Sequence, residues 1–235
     1  VAGINASCYC GGREMLVLDR SSSYIGTLID DLVTKGCIEP YRMMTSRSEY
    51  RLLLRQDYAP ERLAEIGRRV GLLGEKKYRV FLEMNESVEK ELKRISKTTL
   101  KPSSELNVAL AGLGTSPITT GVRFAELLKR PQVDYKTLAA FDGEAPSLGD
   151  TIISKVEIRV KYKGYIEAQD EKVRQMKKLE EKKLPADIDY RTVHGLRLEA
   201  QEKLNRYRPL NIGQASRISG VNPADVTVLL LLLGE

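Results

Sequence analysis

EPYRMMTSRSEYRLLLRQD, residues 39–57, is the most informative stretch of this sequence. It carries four arginines: Arg42, Arg47, Arg51 and Arg55. Glu49 is the only acidic residue between them. The last three recur every four residues, a spacing that puts them on one face of an α-helix. Ser46, followed three residues later by Glu49, has the spacing of a capping box. The pattern therefore predicts a helix that begins near Arg47, with the leucines at 52–54 turned toward a core.

Arginines crowded at a helix N-terminus predict an anion-binding site. The first backbone N–H groups of a helix are free to bind an anion, and guanidinium groups bind phosphate bidentately. Phosphate is the expected anion, so the stretch indicates contact with a nucleic-acid backbone. The alternative is a solvated arginine face whose charges are balanced by structural ion pairs, such as those of Glu49 with neighbouring arginines.

The segment YRMMTSRSEYRLLLRQD at 41–57 resembles a motif of the MnmG (GidA) family of tRNA-modifying flavoproteins. Three further segments match in the order of the family. AGINA at 2–6 resembles the tail of the family's glycine-rich flavin-domain signature, and YIGTLIDDLVTKG at 24–36 lies just before the arginine stretch. RPLNIGQASRISGVNP at 208–223 resembles the family's terminal motif. The resemblance covers essentially the whole chain.

This resemblance implies that the chain is the C-terminal part of an enzyme that uses FAD and NADH. With the GTPase MnmE and methylene-tetrahydrofolate as one-carbon donor, such an enzyme modifies carbon 5 of the wobble uridine of tRNA, and the full-length enzyme is expected to be a homodimer. The family's catalytic cysteines belong to upstream motifs, so no catalytic or cofactor-binding residue is expected here. A second hypothesis places Arg42–Arg47 at the rim of the flavin site.

The fold is predicted to be mainly α-helical. Residues 1–58 are expected to form the tail of an upstream Rossmann-like FAD-binding domain together with connecting helices. Residues 59–149 would form a first helical domain, and residues 150–235 a long helix followed by a C-terminal helical subdomain. Asp150–Lys183 has the longest continuous helical pattern, with apolar residues at three- and four-residue steps.

The second half of that long helix, KVRQMKKLEEKK at 172–183, is heavily charged. As a functional segment it would be an arm that presents basic side chains to phosphates: Lys172, Arg174, Lys177 and Lys178. The alternative is a helix that projects into solvent on its own ion pairs. The sequence leaves both interpretations open.

Two short helices near the C-terminus, at 212–218 and 223–233, have the arrangement of a helix-turn-helix. The family resemblance favours a docking surface for the GTPase here, made by Gly213, Gln214, Ser216 and Arg217, whereas the residues alone equally suit a tight helix–helix contact. A DNA-binding or scaffolding module is the competing function. It is disfavoured because residues 226–233 are nearly all apolar and offer few groups to base edges. A structural helical domain without a ligand is the third class.

Composition sets the remaining limits. A formal net charge of +6 permits nucleic-acid binding without requiring it. No apolar run is long enough for a membrane span, and the absence of a leader together with few cysteines predicts the cytoplasm. Cys8, Cys10, Cys37 and His194 are the residues that would have to form a metal site, but their CxC spacing is unusual for zinc and no metal is expected. His194 has no evident partner for general-base work.

Overall fold

The computed structural model describes residues 1–36 and 39–234. It divides into two compact units, one made of residues 1–62 and 168–235 and the other of residues 63–167. We call them unit 1 and unit 2. Both are built mostly of helices, which confirms the predicted mainly α-helical fold. The three-part division at residues 58 and 149 stays a prediction about domains.

Unit 1 begins with helix α1 (Ala2–Cys10), an extended connector and helix α2 (Tyr24–Thr34). Asn5 attaches α1 to the connector, because its side chain donates to the Leu16 carbonyl at 2.9 Å and accepts from the Leu16 N–H at 2.7 Å. Ser23 caps α2 by accepting the Gly26 N–H at 2.9 Å. Gly26 lies so close to the backbone of Asp19 that a Cβ there would be 2.1 Å from the Asp19 carbonyl oxygen.

The predicted helix beginning near Arg47 is wrong. Residues Thr45–Arg47 form a single 3₁₀ turn, residues 51–54 form a turn, and a second 3₁₀ turn at Gln56–Tyr58 leads into helix α3 (Ala59–Arg69). Ser46 makes no cap, since the residue before the 3₁₀ turn is Met44. The Glu49 carboxylate instead binds Arg20, and the Leu53 N–H donates to Gln169 at 3.1 Å. Bonds to distant residues thus replace the bonds of a local helix.

Unit 2 buries a core of aliphatic and aromatic side chains, including Phe124, Tyr135 and Leu138. Its two short strands pair antiparallel, with Thr99 opposite Arg123. The elements in chain order are α4 (Glu75–Ile95), β1 (Thr99–Leu100), α5 (Ser104–Gly112), β2 (Val122–Arg123), α6 (Phe124–Leu128), α7 (Tyr135–Ala139) and α8 (Asp150–Lys161). The core contains no site-like cluster of unpaired polar groups, as far as the described residues show.

The long helix predicted for Asp150–Lys183 is interrupted. Helix α8 ends at Lys161 and helix α9 runs from Lys163 to Glu181. Tyr162 lies between them with φ −101° and ψ 6°, outside the helical range. The nearby Gly164 has low helix propensity, which makes a break here inexpensive in free energy.

The C-terminal part of unit 1 follows α9 with a 3₁₀ turn (Tyr190–Thr192) and helices α10 (Leu198–Tyr207), α11 (Ile212–Ser216) and α12 (Pro223–Leu232). Asn222 and Asp225 form a capping box at the start of α12, which begins at Pro223 as the predicted helix at 223–233 does. Leu204, Ile212 and Leu229 lie at the centre of the core of this region. Within the described residues, no helix combines the length and the apolar character that crossing a membrane requires.

Candidate nucleic-acid interface

The arginine segment, residues 41–55, is held in unit 1 by Arg20. This side chain is only 6% exposed and has carboxylates on two sides. Nη1 lies 2.7 Å from Asp31 Oδ1 and 3.0 Å from Asp30 Oδ2, both on α2. Nη2 lies 2.9 Å from Glu49 Oε1 and donates to the Arg47 carbonyl at 3.0 Å. Arg20 therefore joins helix α2 to the middle of the arginine segment.

The charge balance of this cluster favours the ionised forms. Burial by itself would raise the pKa of Asp31, but hydrogen bonds from Arg20 and Tyr41 and the positive charges of Arg20 and Lys35 outweigh burial and lower it. Burial would also lower the pKa of Arg20, and the bonds to Glu49 and Asp31 raise it instead. The Tyr41 hydroxyl donates to Asp31 at 2.8 Å, and burial together with that bond raises the pKa of Tyr41 to about 12.

The four predicted phosphate-binding arginines have different surroundings. Arg42 and Arg51 are exposed. Arg47 is exposed too, but its guanidinium stacks on the Tyr41 ring with the carbon 4.6 Å from the ring centroid, and its Nε donates to the Arg42 carbonyl at 3.2 Å. Arg55 directs both arms of its guanidinium to Asp57, at 3.0 Å each. The segment thus presents Arg42, Arg47 and Arg51 outward and keeps Arg55 in an ion pair.

Helix α9 contacts the arginine segment and carries the predicted basic arm. The Gln169 side chain on α9 accepts the Leu53 N–H, and residues of both elements line a cavity of about 20 Å³. The four predicted basic side chains of the arm are exposed: Lys172, Arg174, Lys177 and Lys178. Arg174 pairs with Glu171 at 2.7 Å, and Lys177 lies 3.3 Å from Asp19. The structure therefore brings the arm and the arginine segment together within unit 1.

The predicted docking residues on and after α11 are partly interior. Gly213 is buried, and a Cβ there would be 2.4 Å from the Glu180 side chain. The Arg217 side chain is 8% exposed and donates to Glu180 at 2.8 Å and to Asp30 at 3.3 Å. These two residues make the close helix contact that was the structural alternative. Gln214 and Ser216 are half-exposed.

An apolar cleft of about 350 Å³ opens beside α11 in unit 1. Gln214 lines it, and Val33 and Leu210 stand in its wall with 75% and 64% of their surface exposed. Its two charged lining residues are already engaged: Asp30 with Arg20, and Arg208 with the Ile188 carbonyl. The cleft is therefore an apolar surface rather than an ion site.

In the part of the chain that the structure describes, no side chains are arranged to form a metal site. No group of three or more histidine, cysteine or acidic side chains there could hold an ion. Cys8 is buried, Cys10 is exposed, and His194 is exposed in a loop. Cys37 lies outside the described residues.

Sequence reasoning missed Arg20 and Asp30 as residues that shape this surface. Neither residue belongs to a motif that the sequence alone marks as a binding site. Their partners Glu49 and Arg217 lie 29 and 187 residues along the chain. No local pattern marks such pairs, although a lone arginine just before a capped helix that contains two adjacent acids is a weak signal.

Comparisons with known proteins match this fold to one family. A family model described as "tRNA modifying enzyme MnmG/GidA C-terminal helical domain" matches residues 75–170, and one described as the "C-terminal helical bundle" of the same enzyme matches residues 172–235. The tRNA uridine 5-carboxymethylaminomethyl modification enzyme MnmG of Caldicellulosiruptor saccharolyticus is 54% identical over the entire chain, which covers 38% of that relative. The MnmG of Lachnoclostridium phytofermentans is 50% identical, with the same coverage.

A solved structure agrees. The form II crystal of Aquifex aeolicus GidA superposes with a TM-score of 0.79 at 40% sequence identity, and the match covers 100% of this chain and 36% of the GidA chain. The chain thus spans less than two-fifths of the length of the curated relatives it matches. It belongs to the MnmG/GidA family of tRNA-modifying enzymes, of which it carries the C-terminal helical part.

Proposed function

We propose that the full-length protein is an FAD- and NADH-using enzyme that acts with the GTPase MnmE, and with methylene-tetrahydrofolate as donor, on carbon 5 of the wobble uridine of tRNA. This chain contributes tRNA-backbone contacts and the GTPase-docking surface, and the full-length enzyme is a homodimer. The observation that carries the proposal is the exposed arginine segment, anchored by Arg20 beside a basic helix, in a chain that belongs to this family.

The arginine segment suits phosphate for electrostatic reasons. Arg42, Arg47 and Arg51 point outward, and a guanidinium can bind a phosphate through two parallel N–H donors. Glu49, the one acid between them, faces Arg20, which offsets its negative charge. Lys172 and Lys178 extend the positive surface along α9. Contacts of this kind position an RNA backbone without reading its sequence.

The chain itself is not assigned a flavin-binding residue. FAD pyrophosphate is usually held by a glycine-rich turn between a strand and a helix N-terminus. The described residues contain no such turn, and the two short strands pair antiparallel in unit 2 with helix α5 between them in the sequence. In this proposal the flavin is bound mainly by a part of the full-length enzyme outside this chain, which spans 38% of a relative's length.

The test is tRNA binding by the full-length protein, measured by fluorescence anisotropy across a salt series. Each lost phosphate contact lowers the slope of log affinity against log salt by about 0.7–0.9, so Arg42→Ala with Arg51→Ala is expected to flatten it by about 1–2. Arg47→Ala with Arg51→Ala is expected to flatten the slope by a similar amount, because it too removes two outward-facing guanidinium groups. Arg55→Ala is the matched comparison and should change the slope less, because Asp57 already occupies its guanidinium.

An unchanged slope in both double variants would reject phosphate contact by the segment. The flavin-rim hypothesis for Arg42–Arg47 is separated by a second readout, the rate of flavin reduction by NADH in the same variants. Normal reduction with weakened tRNA binding assigns the arginines to tRNA. Slowed reduction with normal tRNA binding would assign them to the flavin site.

The docking part of the proposal concerns the surface beside α11. Because Gly213 and Arg217 are interior, Gln214 and Ser216 are the predicted residues that can touch a partner directly, with the exposed Leu210 next to them in the cleft wall. Leu210→Asp is expected to weaken MnmE binding at least tenfold in calorimetry and to leave the tRNA salt slope unchanged, an effect typical of a buried apolar contact. Leu198→Asp on α10 is the control, since Leu198 is 79% exposed and lies outside the cleft.

The competing helix-turn-helix function is disfavoured by α12. Asn222 and Asp225 are used in the capping box, and the Thr227 hydroxyl donates to the Pro223 carbonyl at 3.0 Å. The rest of the helix is apolar, so it offers no set of donors and acceptors for base edges. Tight binding to duplex DNA in a sequence-dependent manner would reverse this judgement.

A further inference from the structure

Arg20 cannot bind a ligand itself. It is buried, and every nitrogen of its guanidinium is engaged within the protein. Nε binds Glu49, Nη1 binds the two aspartates of α2 and the Thr27 carbonyl, and Nη2 binds Glu49 and the Arg47 carbonyl. No N–H of this side chain is left to reach a phosphate.

The contacts of Arg20 fall on both sides of Ser48, at the centre of the arginine segment. The segment makes few regular backbone bonds of its own here, because the 3₁₀ turn ends at Arg47 and Ser48 has an extended conformation with φ −102° and ψ 130°. The Arg47 carbonyl and the Glu49 carboxylate are therefore the points at which Arg20 ties the middle of the segment to helix α2. Arg42 and Arg51 lie on either side of this tie.

On helix α2, the partners of Arg20 are themselves fixed by burial and by further ion pairs. Asp31 is 5% exposed on its side chain, and Asp30 also receives Arg217, which in turn pairs with Glu180 on α9. A carboxylate shared by two guanidinium groups links α2 to the arginine segment on one side and to α11 and α9 on the other. The position of the segment is thus coupled to helices that are packed into the core.

We propose that Arg20 is a positioning residue for the phosphate-binding arginines, and that Glu49 is the point on the segment through which it acts. This inference rests on the proposed tRNA contact. Arg20 keeps the segment extended around Ser48, so that Arg42 and Arg51 face solvent. It also neutralises the Glu49 carboxylate, the one negative charge in the segment that would repel a phosphate. A lysine cannot replace it, since a single ammonium cannot bind the carboxylate and the carbonyl with a planar fork.

The experiment compares Arg20→Lys and Glu49→Gln with wild type in the full-length protein. Hydrogen exchange of the amides at 44–54 is expected to quicken by about tenfold or more, the effect of losing a charge-assisted hydrogen bond. tRNA affinity should fall by a similar factor. Arg197→Lys is the matched control, because Arg197 makes the same kind of bidentate pair with the buried Asp225, in the C-terminal helices. Arg197→Lys should change neither the hydrogen-exchange rates of the amides at 44–54 nor the affinity for tRNA.

A double-mutant cycle separates positioning from general destabilisation. If Arg20 acts only through the segment, Glu49→Gln added to Arg42→Ala and Arg51→Ala costs much less affinity than it does alone. Full additivity would overturn the proposal, as would unchanged exchange in both variants. If Arg20→Lys does not fold, Glu49→Gln decides, since Glu49 is 44% exposed on its side chain. A wild-type protein that fails to bind tRNA overturns the proposed function, whereas the exchange measurement still judges the tie made by Arg20.

Discussion

The guanidinium of Arg217 lies against the carboxylate of Asp30, with Nη2 and Oδ1 3.3 Å apart, although 187 residues of sequence separate them. Asp30 also binds Arg20 at 3.0 Å. One carboxylate on α2 therefore meets a guanidinium from the N-terminal part of the chain and one from its C-terminal part.

Asp30→Asn is expected to destabilise unit 1 by about 1–3 kcal/mol, because two largely buried guanidinium groups lose part of their charge balance. The loss stays below that of a fully broken buried pair because Arg20 keeps Asp31 and Glu49, and Arg217 keeps Glu180. Chemical denaturation measures it. Asp57→Asn, in a more exposed pair with Arg55, should cost only about 0–1 kcal/mol. Equal costs for the two changes would contradict this assignment.

Gly26→Ala should destabilise the protein by at least the roughly 1–3 kcal/mol of an overpacked core. The added Cβ would be 2.1 Å from the Asp19 carbonyl oxygen, so either α2 or the connector has to shift. Gly3→Ala is the control, because a Cβ on that residue of α1 meets nothing within 4 Å. Thermal unfolding should show a marked fall for the first change and little or no fall for the second.

Tyr135→Phe should destabilise unit 2 by about 0.5–1.5 kcal/mol, the net contribution of one hydrogen bond, because Arg94 still donates to both oxygens of the Glu91 carboxylate. The Tyr135 hydroxyl donates to Glu91 at 2.7 Å, and both residues are buried. Tyr165→Phe removes the same hydroxyl from a residue that is 69% exposed and should change stability very little. If the two variants lower the denaturant midpoint of unfolding by the same amount, the buried hydroxyl has no structural role.

Asp225 should make stability fall at acid pH. Burial would raise the pKa of Asp225, but hydrogen bonds from Arg197 and from the Asn222 backbone outweigh burial and lower it. A lowered pKa means that the contribution is present above the unfolded value of about 3.9 and is lost as pH falls through the folded-state pKa. Asp225→Asn should therefore lower stability at neutral pH and flatten the dependence below about pH 4. A steeper acid dependence in the variant would refute the assignment.

The sequence predicted those parts of the fold that depend on neighbours within a few residues. The two short helices predicted at 212–218 and 223–233 are the case in point, since the structure has helices at Ile212–Ser216 and Pro223–Leu232. These patterns are set by backbone groups and side chains one turn apart, so a local window contains all the interacting partners.

The arginine segment shows where that approach fails. Four-residue spacing favoured a helix, yet Glu49 and the Leu53 N–H bind Arg20 and Gln169, which lie 29 and 116 residues away. The ion pair of Glu49 with the buried Arg20 stabilises the fold more than a surface capping box would, because leaving a buried charge unpaired costs free energy. Three of the four arginines singled out from the sequence face outward, whereas Arg55 is paired with Asp57, and the conformation that presents them could not be predicted.

Unit 1 is discontinuous in the chain, and this has a consequence for synthesis on the ribosome. Residues 1–62 emerge before the whole of unit 2, and residues 168–235 emerge after it. At about 5–20 residues per second, the intervening segment takes roughly 5–20 s to translate. During that interval Asp30 can contact Arg20 but not Arg217, so unit 2 can complete its core before helices α10, α11 and α12 of unit 1 have been synthesised.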